Sequence, residues 1–221
     1  MKKIIEKVIP ANSLPEGFVS SIHPVSHPVS LEVGYPKTDE ELEAMFRLRA
    51  EVYRKEGYIT AENDKDEYDL KNKCAYFIAK LNEKLVGTVR VVIDDPLPIE
   101  VHFNFKEPEE MARIPRNKRG EISRLTGVVK GLNHLVSLSL IKAITEWSKE
   151  NDFPGGYSFI QSYLVRILNS VGFPIHLIEP YTLKNIKGSP FYAYLNESGS
   201  EVLPIWYLRD EAIVWFEKMK F

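Results

Sequence analysis

The chain holds a single cysteine, Cys74, in 221 residues. No disulfide can form within it, and a reducing compartment, the cytoplasm, is the expectation that follows. Long apolar runs are missing as well: none approaches the roughly 20 residues that cross a bilayer. The charged opening Met1–Lys7 is not followed by the apolar core of a signal peptide. Charge of one sign is also lacking. A net charge of −2 excludes a protein whose whole surface grips nucleic acid and leaves room only for a local basic patch. No metal site is expected either. His23 and His27 have no acid or cysteine close by in sequence and read as two surface histidines in a loop. The acidic stretch Thr60–Leu70 lacks the glycine and the closing glutamate of a calcium loop. There is no internal repeat and no low-complexity tract.

What is present is enough apolar content, 44%, for one sizeable core. Pro10–Pro36 holds five prolines and no periodicity, so residues 1–37 read as an extended arm and 38–221 as a single domain. Thr38 or Asp39 caps a first helix, with Glu41 and Glu43 in its opening turn and Gly57 ending it. Leu42, Met45, Phe46, Arg49, Val52 and Tyr53 share one face of that helix. Arg49 in an apolar stripe is either a snorkelling stem or a buried guanidinium held by a carboxylate. The acidic loop is either a solvated segment or the source of Asp66 and Asp69 for such arginines.

Ala75–Leu81 and Leu85–Ile93 form a hairpin across Asn82-Glu83-Lys84. Alternation places Thr88 and Arg90 on one face of the second strand. Asp94–Pro115 reads as irregular, with Phe103 and Phe105 as plugs into the core. Arg113, Arg116, Lys118 and Arg119 form a basic cluster, which is ordinary solvated surface or a docking site for an acidic partner. A strand over Glu121–Val129 follows, then a helix Asn133–Glu150, a strand Tyr157–Gln161, a helix Ser162–Ser170, strands Ile175–Glu179 and Glu201–Leu208, and a helix Arg209–Lys218. Hairpin-linked strands mixed with strand–helix alternation imply an α/β protein with one mixed sheet and helices on both faces.

The strand from Glu121 is the unusual element. It carries Glu121, Ser123 and Arg124 where a doubly covered strand should be nearly all apolar. Buried charge is expensive unless paired, so these residues need partners and a purpose. The plainer alternative is that Asp66, Asp69, Glu121, Arg49, Arg90 and Arg124 form a charge network that only fixes the acidic loop on the sheet.

The ordered set Leu48-Arg49…Tyr53, Asp66…Asp69, Val86-Gly-Thr-Val-Arg90 and Glu121-Ile-Ser-Arg124 resembles the autoinducer (acyl-homoserine-lactone) synthases and their relatives, the N-acyl amino acid synthases and exosortase-associated acyltransferases. All are GNAT-superfamily acyltransferases, and the resemblance covers about residues 39–179. It implies a central twisted mixed sheet with a V-shaped split that admits the pantetheine arm of an acyl thioester. No metal or resident cofactor is implied. The co-substrate is an acyl-phosphopantetheine thioester and the expected partners are an acyl carrier protein and a small amine acceptor.

By motif position the resemblance puts Arg49, Tyr53, Asp66, Asp69, Arg90, Glu121 and Arg124 around the acceptor cleft, with Phe103 near it. Tyr58 stands where the family has tryptophan, and Leu125 where phenylalanine commonly follows Ser-Arg. Both point away from S-adenosylmethionine as acceptor, and hence from homoserine lactone as product. Lys130–His134 holds only Gly131, which favours a carrier protein over coenzyme A as donor. Glu121 is the candidate general base. Ser123, Arg124, Leu125 and Thr126 are expected to contact substrate, with backbone N–H groups of Leu125–Gly127 at the thioester oxygen and the helix start near Asn133 at the phosphate. Strict alternation sets Glu121 and Ser123 on one face and Arg124 on the other, so sharing a cleft requires a β-bulge, which the resemblance also implies. An acetyl-CoA-dependent N-acetyltransferase and a non-catalytic acyl-binding regulatory module are the alternative readings.

Overall fold

A computed structural model describes residues 6–7, 31–59, 64–189, 191–197, 199 and 201–221. His23, His27, Glu62 and most of the proline-rich arm lie outside the described residues. In chain order the strands are β1 (Glu6–Lys7), β2 (Leu31–Gly34), β3 (Cys74–Leu81), β4 (Lys84–Val92), β5 (Phe103–Phe105), β6 (Arg119–Gly127), β7 (Gly155–Gln161), β8 (His176–Leu177), β9 (Tyr181–Leu183) and β10 (Val202–Leu208). The helices are α1 (Asp39–Lys55), α2 (Glu67–Leu70), α3 (Pro98–His102), α4 (Glu109–Ala112), α5 (Asn133–Glu150), α6 (Ser162–Ser170), α7 (Tyr192–Asn196) and α8 (Arg209–Lys218).

One sheet of eight strands runs in the order β1-β2-β3-β4-β6-β7-β10-β8, and β5 and β9 pair as a small separate ribbon. Every pair in the large sheet is antiparallel except β6–β7. A parallel pair needs a long crossover, and α5 supplies it. The periodicity of α5 buries Val136, Leu140, Ala143, Ile144 and Trp147 against Phe77, Ala79, Val86, Val89 and Val91 of the sheet. On the opposite face α1 sets Met45 and Phe46 on Ile78. Helices therefore cover both faces, as the alternation of strand and helix patterns requires.

The region 94–115, read as irregular, holds α3, β5 and α4. Four or five residues are too few for periodicity to register, which is why pattern reasoning passes over them. The strand expected over Ile175–Glu179 shrinks to His176–Leu177, because it is an edge with a single partner, β10.

From Asp64 onward the acidic loop is pinned rather than solvated. Thr38 caps α1 through a bond from the Glu41 N–H, and the helix then delivers Arg49, fully buried, to the loop. Arg49 Nε donates to Asp64 Oδ2 at 2.5 Å and its Nη2 to Asp69 Oδ2 at 3.2 Å. Arg90 Nη1 reaches Asp66 Oδ1 at 2.7 Å and Asp69 Oδ2 at 2.9 Å. Arg124 Nη2 reaches Asp66 Oδ2 at 3.2 Å. Asp66 also caps α2 by accepting from the N–H groups of Tyr68 and Asp69. Burial alone would raise the Asp69 carboxyl, but Arg90 and Arg49 outweigh it and hold it well below the usual carboxylate range. Asp64, which sequence reasoning left in the loop without a role, is the closest partner of Arg49.

Removing Asp66 would take one carboxylate partner from each of two buried guanidiniums, Arg90 and Arg124, and the side-chain cap from one helix. Asp66→Ala should therefore lower unfolding free energy by about 3–5 kcal/mol, whereas Glu67→Ala, on the exposed side of α2, should stay within about 0.5 kcal/mol. Urea denaturation of both variants checks this; a loss below about 1 kcal/mol for Asp66→Ala would show that the network is not holding the loop.

Candidate active site

The parallel pair β6–β7 holds for three rows only: Arg119 with Gly155, Gly120 with Gly156, and Glu121 with Tyr157. Beyond that row β6 continues to Gly127 and β7 to Gln161 without pairing each other. The Ser158 hydroxyl donates to the Ile122 carbonyl at 2.7 Å just past the last pair. The two strands then part, and a cavity of about 190 Å³ lies in the opening.

The register of β6 against β4 shifts between Arg90–Ser123 and Thr88–Thr126, so Arg124 and Leu125 together face Val89. Arg124 has φ +58, a left-handed conformation that a β-bulge tolerates and a regular strand does not. This extra residue brings Arg124 to the side of the sheet that carries Ser123 and Arg90. Arg90 Nε donates to Ser123 Oγ at 3.0 Å. The Arg124 guanidinium lies between the rings of Tyr53 and Phe191, 5.1 and 4.7 Å from their centroids.

Glu121, in the last paired row, is fully buried. Its Oε2 accepts from the Ile99 N–H at 2.6 Å, while Oε1 has no hydrogen-bond partner among the described residues. Burial pushes the carboxyl up to about 8, with the Ile99 N–H and Arg90 pulling the other way. An acid of this kind, half held by backbone and poised near neutrality in a cleft, is suited to take a proton.

The cavity touches Tyr53, Glu121, Ser123, Arg124 and Leu125 of the residues expected at the cleft. Arg49, Asp66, Asp69 and Arg90 stand behind this wall, joined to it through Arg124 and Ser123. Thr126 is buried beneath the bulge and back in register with Thr88. Phe103, expected beside the cleft, packs instead in the core against Phe159 and Tyr181, because β5 joins β9 rather than the large sheet. Cys74 is not among the residues lining the cavity, and burial pushes its thiol up to about 12, which disfavours the thiolate that nucleophilic attack needs.

Sequence reasoning missed most of the remaining wall. Tyr58, Tyr163, Phe191 and Tyr194 form an aromatic end, with the Gln161 side-chain amide donating to the Tyr58 hydroxyl at 2.5 Å. Leu138, Ile141, Ile144, Leu164, Ile167, Leu168, Phe173 and Ile175 form an apolar end between α5 and α6. Their helical spacing was legible, but core packing and cavity lining look alike in a pattern. The residues of the basic cluster pair with acidic side chains of the same chain. Arg119 is buried, bonded to the Ile114 carbonyl and paired with Glu107, while Arg113, Arg116 and Lys118 pair with Glu109, with Asp95 and Glu100, and with Asp152.

A family model described as N-acyl amino acid synthase FeeM matches residues 44–151. In structure, the chain aligns with the AHL synthase LasI at a TM-score of 0.57 and 16% identity, over 84% of this chain and 91% of that one. It aligns with MesI, described as a CoA-dependent acyl-homoserine lactone synthase, at 0.56 and 13%, over 86% and 95%. It aligns with a GNAT-family acetyltransferase from Staphylococcus aureus Mu50 at 0.50 and 13%, over 81% and 99%. Compared by sequence with the curated proteins, the chain has no significant match. At these identities the structural likeness establishes the fold, a GNAT acyltransferase fold.

Glu121 binds its proton more tightly in the folded protein than a carboxyl titrating near 4.3 in the unfolded chain. Folding stability therefore falls as pH rises from that value through about 8. Glu121→Gln carries no charge and should remove the fall. Its Tm should exceed that of the parent at pH 8 and match it near pH 4. Scanning calorimetry at both values tests this, and equal Tm at pH 8 would mean that the carboxyl is not held protonated.

Proposed function

We propose that this chain is an acyltransferase of the GNAT group that contains the AHL synthases and the N-acyl amino acid synthases, and that it moves a fatty acyl group from a carrier-protein thioester to the amino group of an amino acid or related small amine. The observation that carries the reading is the cavity at the parting of β6 and β7. It has a buried carboxylic acid at its apex, an aromatic end with a guanidinium, and an apolar end far larger than an acetyl group needs. An acetyl-specific enzyme has no use for eight aliphatic and aromatic side chains lining one lobe.

In this reading the acyl chain lies along Ile141, Ile144, Leu164 and Leu168, and the acceptor enters beside Tyr53, Tyr58 and Arg124. Glu121, once ionised, takes the proton that the acceptor ammonium loses, directly or through water. The developing oxyanion is met by backbone N–H at the bulge. Thr126 and Gly127 are back in register with β4, so Leu125 is the candidate donor. The pantetheine phosphate sits at the start of α5. No side chain caps that end and no acidic residue lies in its first turn, so the opening N–H groups face an anion unopposed. No covalent acyl-enzyme is required. Holding the reactants together in the dry opening supplies much of the rate. The carrier protein as donor is supported by the single glycine in Lys130–His134, which offers little to a coenzyme A pyrophosphate.

The kcat/KM profile should rise with pH and level off with a midpoint near 8, the value to which burial moves Glu121, and the midpoint should stay there when the acceptor amine's own pKa is changed. Glu121→Gln should abolish turnover and leave donor binding intact. Lipid extracts of a bacterium expressing the protein should contain new N-acyl species by mass spectrometry, absent with the variant. Turnover with acetyl-CoA but with no longer acyl thioester, on carrier protein or coenzyme A, would overturn the fatty-acyl reading.

A further inference from the structure

His102 and Ser189 have no part in the steps above, yet a directed chain of hydrogen bonds joins them. α3 opens on a proline and buries His102 at its end. His102 Nδ1 lies 2.7 Å from the Pro98 carbonyl oxygen, one turn back. A carbonyl only accepts, so Nδ1 carries the ring proton and Nε2 is left as an acceptor. The Ser189 hydroxyl donates to Nε2 at 2.5 Å, and its oxygen accepts from the Phe191 N–H at 3.1 Å. Burial lowers the His102 pKa against the pull of the Pro98 carbonyl, and the Lys184 ammonium acts in the same direction as burial. The neutral ring that this chain requires is therefore the stable one.

The far end of the chain is the cavity wall. Phe191 and Tyr194, at the start of α7 and within it, line the aromatic end. The Phe191 ring centroid lies 4.7 Å from the Arg124 guanidinium, and the ring meets those of His102 and Phe159 edge-on at 5.0 and 5.4 Å. No side chain caps α7. The residues before it are tied to α3 instead: the Lys184 N–H donates to the His102 carbonyl at 2.7 Å, and Lys184 Nζ donates to the Glu100 carbonyl at 2.9 Å. α3 also supplies the Ile99 N–H that holds Glu121 Oε2 at 2.6 Å. One short helix thus fixes the base through one residue and the aromatic wall through another.

We propose that His102 and Ser189 are positioning residues: through Phe191 they set the acceptor end of the cavity at a fixed place relative to Glu121. The inference rests on the acyl-transfer reading given above and deepens it. Neither side chain is among those lining the cavity, so both act through the wall and not on the reactants. Without the Ser189 hydroxyl, the Phe191 N–H and His102 Nε2 lose the partner they share, and the ring is free to leave the Arg124 guanidinium. The acceptor then meets a looser wall, while the acyl lobe between α5 and α6 keeps its own packing. The loss falls on acceptor binding, not on donor binding or the chemical step.

The test separates acceptor binding from the rest, with the amino acid that the lipid extracts show acylated as acceptor and its acyl-pantetheine thioester as donor. Ser189→Ala should raise the acceptor KM about tenfold, the worth of one buried hydrogen bond. It should change kcat and the donor KM by less than about twofold. Ser189→Thr, which keeps the hydroxyl, should restore the parent values. Phe191→Ala should raise the acceptor KM as well, and adding Ser189→Ala to it should raise it by under about twofold more, because the hydroxyl acts through the ring it holds. In hydrogen exchange Ser189→Ala should speed the amides of α7 and leave those of β6 and β7 as they are. Equal rises in both KM values, additive effects of the two substitutions, or unchanged exchange in α7 would each overturn the role of His102 and Ser189 while leaving acyl transfer in place. Failure of the parent protein to turn over any acyl thioester would overturn the acyl-transfer reading and this inference with it.

Discussion

The brevity of the β6–β7 pairing is the constraint on which the rest of the molecule depends. A parallel ladder this short leaves the backbone of two central strands without mutual hydrogen bonds past Glu121 and Tyr157. Such an opening in the middle of a sheet would normally be unfavourable. Here two features hold it. The bulge at Arg124–Leu125 bends β6 away and restores its register to β4. On the other side β7 pairs along its whole length with β10. Each strand keeps one complete partner, so the gap persists without collapse and becomes a passage from one helical layer to the other.

The charge cluster belongs to the same design. Three buried arginines meet three buried aspartates, so the group is neutral as a whole. It joins α1, the acidic loop, β4 and the bulge of β6 in one rigid body. Buried pairs of this kind contribute little net stability, because desolvation offsets their attraction. What they contribute is position: Arg124 is held at the cavity wall, in a backbone conformation it would not adopt unaided. The network and the cleft are therefore not competing accounts of these residues. The aspartates, Arg49 and Arg90 support, and Arg124 and Ser123 carry that support to the surface of the cavity.

Glu121 is the opposite case. Among the described residues no cation hydrogen-bonds it and one of its oxygens has no partner, and its burial works against the folded state at neutral and alkaline pH. This disadvantage is what motivates the proposal that Glu121 serves the chemistry.

The sequence by itself determined the long elements and the peculiarity of one strand. The 3.6-residue periodicity of α1, α5 and α6 and the alternation of β3 and β4 are local properties, set by which face must be apolar. Charged residues in an otherwise apolar strand announced that Glu121 and Arg124 needed explanation, and alternation alone demanded a bulge if they were to meet. Only the tertiary structure decided that Asp64 joins Arg49, that Phe103 leaves the cleft for the core, and that Arg119 is buried. Those outcomes depend on which distant segments pack together, and a linear pattern of apolar and polar residues carries the face of each segment but not the identity of its neighbour.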